Sequence, residues 1–285
     1  MKEIYYKTFM LKYYIHTIVI VFCAGACGQQ TTSYTNKNVH KSGSMVCTRF
    51  NSPKGFVRLK YESNSFESFL QNFPLKSINA QVHLYNGAVK KNQNVHEAVL
   101  DIDVGKQDLQ QCADAVMRLR AEYLYKTKNY TDLHFNFVDG FKAEYAKWIQ
   151  GNTIAFNNGK PYWKTSSNAS NTYESFRKFM DIVFGYAGTL SLAQELKQQE
   201  LKNIKPGDVF IRGGSPGHAV IVVDVAQNKK GKKCFMLAQS YMPAQEIHIL
   251  KNYNDENISP WYGEDFGEIL LTPEYTFKKG ELKKF

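Results

Sequence analysis

The chain has 285 residues, with 36 Lys and Arg against 26 Asp and Glu, which gives a formal net charge of +10. This length predicts one fairly large domain with a substantial hydrophobic core. The basic residues lie in lysine-rich turns and in the tail rather than among aromatic residues, and no nucleic-acid-binding motif occurs. We therefore expect no nucleic-acid partner and interpret the charge as a solvated surface, one that also suits attraction to anionic envelope surfaces.

Residues 1–26 have the order of a secretory signal peptide. Three lysines precede an apolar run from about Tyr13 to Ala26, which is shorter than the roughly 20 residues of a membrane-spanning helix. The small residues Ala24-Gly25-Ala26 satisfy the rule for signal cleavage. Cleavage there makes Cys27 the first mature residue, and loss of three lysines and Glu3 lowers the net charge from +10 to +8.

The bond before Cys27 resembles a bacterial lipoprotein processing site, although that pattern prefers leucine where this chain has Ala24. An acylated Cys27 would anchor the protein to the cell envelope, and the alternative is simple secretion to the periplasm. Residues 27–54 are polar and without a period, which predicts a lipidated N-terminus and a flexible tether. Residues 55–285 are then a single α+β domain. The three cysteines that remain beside Cys27 after signal cleavage, Cys47, Cys112 and Cys234, allow one disulfide and one free thiol.

In the first half of the domain, the pattern predicts a strand near Phe56–Tyr61 and a short helix after the N-cap Ser65. Strands near residues 81–85 and 98–104 are expected to pair as a hairpin across Asn86-Gly87. A long helix follows from about residue 106 to 126. Its apolar face repeats at spacings of three and four and includes Cys112, so this thiol is expected to point inward.

In the second half, residues 134–138 are predicted to be extended, residues 140–150 helical, and residues 151–171 a polar loop that holds Tyr162 and Trp163. The remaining elements are two helices and five strands, expected near residues 173–186, 191–203, 208–212, 218–225, 234–240, 245–250 and 268–271. Helices followed by antiparallel strands indicate the α+β class, an antiparallel sheet with packed helices.

Cys112 and His218 are the candidate catalytic pair. A thiolate is favoured by a neighbouring base or by a helix N-terminus, and Cys112 is expected near the start of its helix, about one turn inside. Its backbone amide can contribute to an oxyanion hole. Cysteine is also among the most frequently buried residue types, so a structural thiol is the alternative for Cys112. A histidine bonded to a backbone carbonyl is the alternative for His218.

The predicted hairpin of the strands at residues 218–225 and 234–240 supplies a third member. Alternation places His218, Val220, Val222 and Asp224 on one face, but Asp224 is roughly 20 Å along the strand at about 3.3 Å per residue. A regular hairpin sets residues 220 and 239 opposite one another, which puts Gln239 beside His218 as the orienting group. A slip of one residue would put Ser240 there instead.

Other residues are weaker candidates. Gly217 lies in the turn before His218 and either admits substrate or only shapes the turn. Tyr162 and Trp163 either stack on a substrate or anchor the loop in the core. The histidines lack ligand spacing, so we expect no metal site and no cofactor.

Several segments resemble an uncharacterised family of bacterial envelope lipoproteins that is known only as a domain of unknown function. These segments span most of residues 56–272 and include VLDIDVGKQDLQQCADAVMRLRAEYLY, HFNFVDGF, GYAGTLSL, PGDVFIRGGSPGHAVIVVDV and LAQSYMPAQEIHIL. More remotely, KPGDVFI followed by GHAVIVVD is similar to the catalytic hairpin of papain-like NlpC-type cell-wall peptidases. That resemblance implies a papain-like core with Cys112 as nucleophile, His218 as base and Gln239 as orienting group. The aspartate and serine that commonly flank the family cysteine are replaced here by Gln111 and Ala113.

The sequence thus predicts an envelope-anchored cysteine hydrolase that cleaves an amide bond of peptidoglycan or a related peptide through a thioester. The alternatives are a non-catalytic lipoprotein that binds a wall fragment or a partner protein, and an accessory subunit of an envelope assembly.

Overall fold

The computed structural model describes residues 38–165 and 169–285, so the predicted signal peptide and Cys27 lie outside the described residues. The helices are α1 (Val46–Arg49), α2 (Phe66–Gln71), α3 (Cys112–Lys126), α4 (Tyr145–Trp148), α5 (Tyr173–Tyr186) and α6 (Thr189–Glu195). The strands are β1 (Phe56–Arg58), β2 (His96–Val99), β3 (His134–Asn136), β4 (Lys142–Glu144), β5 (Asn152–Asn157), β6 (Lys160–Thr165), β7 (Lys197–Gln198), β8 (Val209–Arg212), β9 (His218–Asn228), β10 (Lys233–Gln239), β11 (His248–Leu250), β12 (Trp261–Gly263), β13 (Ile269–Leu271), β14 (Thr276–Lys278) and β15 (Leu282–Lys284).

Nine strands form one antiparallel sheet in the order β2-β11-β10-β9-β8-β15-β7, with β1 also paired to β9 and β12 to β10. The protein is therefore of mixed α+β class, with a large antiparallel sheet and few helices. Strand β9 is buried on both faces, which explains its nearly continuous apolar sequence. Ala219 and Ile221 face the core shared with α3, whereas Val220 and Val222 face a second core with Phe210 and Phe235.

A β-bulge shifts the pairing of β9 with β10 by one residue, so that the register at the turn differs from the register at the His218 end. The turn end pairs Cys234 with Ala226 and Met236 with Asp224, but beyond the bulge Leu237 pairs with Val222. The extra residue on β9 restores the predicted pairing for the His218 end of the strand. It also turns Asp224 to the opposite face from Val222, so the expectation that both share one face was wrong.

The ordered fold includes part of the predicted tether. Val46 and Phe50 are fully or almost fully buried, and the side chain of Arg49 donates hydrogen bonds to the carbonyls of Gly43 and Lys76. The prediction of a tether up to residue 54 was therefore wrong for the described part of that segment. A helix of four residues is not stable alone, so burial of Val46 and Phe50 in the core stabilises it.

Three other predictions of local structure were wrong. Strand β2 pairs with β11 instead of forming a hairpin with residues 81–85. Residues 142–144 form β4, paired with β3, instead of extending a helix. Residues 152–165 form the β5–β6 hairpin instead of a loop, with the turn residues Asn158 and Gly159 both at positive φ. An Asn-Gly pair favours a two-residue hairpin turn, so the local sequence here does favour a hairpin over the predicted loop.

Asp224 provides a test of which buried polar contacts hold the sheet together. Its carboxylate is fully buried and accepts hydrogen bonds from Arg58 Nε at 2.6 Å and from Gln71 Nε2 at 2.7 Å. Replacing it, Asp224→Ala, leaves Arg58 Nε without its acceptor and Gln71 Nε2 with only the carbonyl of Leu59. We expect the free energy of unfolding to fall by about 3 to 5 kcal/mol in urea denaturation.

The matched control is Asp265→Ala, since Asp265 pairs with Lys232 at the surface and is 70% exposed. This variant should leave the urea midpoint nearly unchanged. Equal midpoints for Asp224→Ala and the unmodified protein would contradict the assignment.

Candidate active site

Cys112 is the first residue of α3, one turn closer to the helix end than the sequence analysis expected. The helix begins here because Gln111 is extended, at φ −86° and ψ −157°, and its N–H donates to Asp114 Oδ2 at 3.0 Å. The N–H groups of Cys112 and Ala113 belong to the first turn, where a helix has no internal acceptors for them. Negative charge on the thiol or on a bound oxygen is favoured at this position.

The residues before α3 are hydrogen-bonded to the segment that follows β10. Ser240 Oγ lies 3.0 Å from the carbonyl oxygen of Gln110, and the N–H of Ala244 donates to Asp108 Oδ1 at 2.6 Å. Because Ser240 directly follows Gln239, these contacts fix the beginning of the helix relative to the end of β10.

His218 and Gln239 are in direct contact, as the predicted hairpin register requires. His218 Nε2 lies 2.9 Å from Gln239 Oε1, and both residues are almost completely buried. The amide nitrogen of Gln239 donates to Glu274 Oε2 at 2.7 Å. A carboxylate only accepts hydrogen bonds, so the amide oxygen must face the imidazole. His218 therefore carries its proton on Nε2, and its Nδ1 is the basic nitrogen.

Three residues behind Gln239 were not identified from the sequence. Lys90 Nζ donates to Glu274 Oε1 at 2.8 Å, and its side chain is only 8% exposed. His248 lies opposite Gln239 in the sheet, and its Nδ1 donates to the carbonyl of Glu246 at 2.9 Å. His248 Nε2 is therefore an acceptor, 3.5 Å from Gln239 Nε2. Only the strand register of β11 could have indicated His248, and Lys90 and Glu274 come from segments without regular structure.

Cys112, His218 and Gln239 belong to one cluster around Tyr241. The backbone N–H of Ala219, next to His218, interacts with the Cys112 thiol and opposes the rise of its pKa. The ring of Tyr241 lies 4.9 Å from that of His218, and burial, Glu274 and Cys112 together raise its pKa. The ring of Tyr275 lies 5.0 Å from the same imidazole.

The resting pair is electrically neutral. Burial raises the pKa of Cys112 to about 11, and the nearby Asp114 carboxyl acts in the same direction. Burial lowers the pKa of His218 to about 4, and the hydrogen bond that His218 donates to Gln239 opposes this shift. Cys112 is 7% exposed and His218 is 2% exposed. At neutral pH the site therefore contains a thiol and an imidazole, largely covered by neighbouring side chains.

Gly217 directly precedes His218, whereas Tyr162 and Trp163 lie on another hairpin. A Cβ on Gly217 would meet the carbonyl of Gly214 at 2.3 Å, so this glycine serves close packing of the turn. Tyr162 and Trp163 lie on β6, where Trp163 packs against Phe141 and Lys147. Among the described residues, neither of these β6 side chains has a ring contact or hydrogen bond with the catalytic candidates.

The described residues also contain two other free thiols, and a cavity that lies at the far end of α3. Cys47, Cys112 and Cys234 all carry free thiols. A cavity of about 660 Å³ lies near the far end of α3, lined by Tyr123 and Lys126 among others, so volume alone does not indicate the site. Residues 38–165 and 169–285 contain no group of three metal-ligating side chains and no helix long and apolar enough to cross a membrane.

The tautomer of His218 can be tested by ¹⁵N NMR of the imidazole. We expect the neutral form with the proton on Nε2 to persist as the pH falls from about 8 to about 5, because burial disfavours the imidazolium. Gln239→Leu should remove the preference for this tautomer, whereas an exposed histidine titrates near 6.5. Protonation of His218 above about pH 6 would contradict the structure.

The state of Cys112 can be measured from its alkylation by iodoacetamide, followed by mass spectrometry of the peptide that contains it. Since only the thiolate reacts and its pKa is about 11, the rate should rise about tenfold per pH unit from about pH 7 to 9. A plateau near neutral pH would instead show a preformed ion pair with an imidazolium.

No curated protein and no solved structure matches this chain. A family model described as a domain of unknown function (4846) matches residues 46–284, and its first matched residue is the start of α1. The match covers most of the sequence and nearly all of the described fold. The chain therefore belongs to this family, the domain of unknown function (4846).

Proposed function

We propose that this protein is an envelope-anchored cysteine hydrolase of papain-like type, which cleaves an amide bond in peptidoglycan or a related peptide. Cys112 is the nucleophile, His218 the base and Gln239 the group that orients the imidazole. The N-terminal lipid on Cys27 holds the enzyme at the envelope. The order of a helix-borne cysteine before a strand-borne histidine on an antiparallel sheet supports the papain-like assignment.

The observation that carries the proposal is the 2.9 Å contact between Gln239 Oε1 and His218 Nε2, next to a thiol at a helix N-terminus. The contact leaves His218 Nδ1 unprotonated, as a general base requires. A histidine with a purely structural role needs no amide whose own orientation is fixed by Glu274 and His248. The arrangement contains all three roles of a catalytic triad.

In the acylation step, His218 Nδ1 takes the proton of the Cys112 thiol while the sulfur attacks the carbonyl carbon of the amide. The N–H groups at the start of α3 stabilise the negative charge on the carbonyl oxygen. When the tetrahedral intermediate collapses, the C–N bond breaks and the imidazolium gives its proton to the leaving amine. A thioester on Cys112 remains.

In the deacylation step, His218 takes a proton from water, and the resulting hydroxide attacks the thioester carbon. The C–S bond breaks, a carboxylic acid leaves, and Cys112 regains its proton from the imidazolium. The raised pKa of Cys112 and the lowered pKa of His218 mean that proton transfer accompanies the attack. Substrate approaches past Tyr241 and Tyr275, which are partly exposed beside the imidazole.

A second candidate function is a non-catalytic envelope lipoprotein that binds a wall fragment or a partner protein. The observation that favours it is the closure of the site, since Cys112 is 7% and His218 is 2% exposed. A neutral, covered pair is also what a binding module would retain after loss of its chemistry.

The decisive experiment incubates the purified protein with isolated peptidoglycan and measures newly released amino groups and products by mass spectrometry. Cys112→Ala should lower the cleavage rate at least about 10³-fold, because no other described group supplies the nucleophile. His218→Gln should cause a loss of similar size.

Cys47→Ala is the matched control. Cys47 contacts Asn72 outside the cluster, and its removal should change the rate by no more than about twofold. Cosedimentation with peptidoglycan without any released amine, equal for the unmodified protein and for Cys112→Ala, would overturn the hydrolase and favour the binding module.

A further inference from the structure

A small pocket beside the start of α3 contains polar groups that the proposed chemistry does not use. It has a volume of about 320 Å³, at the lower end of the usual range for small-molecule sites. The loop of residues 103–110 forms one wall, and Arg177, Asp181 and Phe184 of α5 form the other.

Two hydrogen-bond donors at this pocket have no partner among residues 38–165 and 169–285. Gln110 is 1% exposed, and its Oε1 accepts from Arg118 Nη1 at 2.8 Å, but its Nε2 is buried without an acceptor. Arg177 Nη1 is likewise buried without an acceptor. Leaving such donors unpaired is costly, so a ligand that supplies acceptor oxygens at this position would be stabilised.

The charged side chains at the pocket are two cations and two anions. Lys106 and Arg177 are cationic, and Asp103 and Asp181 are anionic. Arg177 Nη2 lies 3.6 Å from Asp103 Oδ1 and 3.7 Å from Asp181 Oδ1, which is longer than a hydrogen bond. Asp103 Oδ2 accepts from Arg118 Nη2 at 3.0 Å, which leaves Asp103 Oδ1 and the Asp181 carboxylate to accept hydrogen bonds from a ligand.

We propose that this pocket binds the zwitterionic group of an α-amino acid. The ligand carboxylate accepts hydrogen bonds from Gln110 Nε2 and Arg177, and the ligand ammonium pairs with Asp103 and Asp181. Val104, Leu109 and Phe184 provide apolar lining for an aliphatic side chain. The site does not depend on Cys112 being a nucleophile.

Recognition of the ligand carboxylate and of the ligand ammonium can be tested separately. The purified protein is titrated in a calorimeter with leucine, with leucinamide and with N-acetylleucine. Leucine carries both charges, leucinamide only the ammonium and N-acetylleucine only the carboxylate. We expect saturable binding of leucine in the millimolar range or tighter, and at least about tenfold weaker binding of the other two compounds. Equal binding of all three compounds, or no saturable binding of leucine, would overturn the proposal.

Arg177→Met should weaken leucine binding at least about tenfold, while Lys178→Met on the same helix should leave it unchanged, since Lys178 pairs with Glu174 at the surface. Asp181→Asn is a second variant in case loss of Arg177 disturbs folding, and it should weaken leucine more than N-acetylleucine. Unchanged leucine binding in folded Arg177→Met and in Asp181→Asn would overturn the assignment. Because the titrations measure binding alone, their failure is distinguishable from a failure of peptidoglycan cleavage.

Discussion

The attachment of the start of α3 to the end of β10 is the constraint on which the candidate site depends. Cys112 comes from a helix and His218 from a strand more than a hundred residues later, so only tertiary contacts can bring them to one place. Ser240 makes this connection because it follows Gln239 directly and its hydroxyl meets the carbonyl of Gln110. The last residue of β10 and the residue after it thus position both the orienting amide and the nucleophile.

The buried polar groups around Gln239 destabilise the fold unless each of them has a hydrogen-bond partner. Buried amide, carboxylate and imidazole groups are each unfavourable without partners. Here the amide oxygen meets His218, the amide nitrogen meets Glu274, and Glu274 meets Lys90. Each group limits the orientation of the next, and the result is a single tautomer of His218. Such networks add specificity to a core even where their net contribution to stability is small.

Sequence patterns predicted the parts of the fold whose structure is decided locally. The strand at β9, the helix at α5 and the N-cap Ser65 follow from apolar runs, periodicity and capping chemistry. The contact of His218 with Gln239 was predicted from a regular hairpin, although a bulge at Val223 was needed to produce that register. The partner of β2 could not be predicted, because residues 96–99 and 248–250 are joined only by long-range pairing.

The rest of the site could not be predicted, for a related reason. Lys90 and Glu274 lie in segments without periodicity, and their roles exist only because the fold brings them together. The position of Cys112 at the first residue of α3 depends on the extended backbone of Gln111, which helix periodicity alone does not specify. A prediction based on apolar spacing extended the helix to residue 106 and thereby placed the thiol too far from the dipole end.

Gln110 connects the amino-acid pocket with the candidate cluster. Its side chain lines the pocket and accepts from Arg118, while its carbonyl meets Ser240 Oγ two residues before Cys112. Arg118 is completely buried and also contacts Asp103 and Glu122. A ligand that engages the free Nε2 of Gln110 would therefore act on the same residue that sets the start of α3. Gln110 therefore contacts both the pocket and the segment that precedes Cys112 at the start of α3.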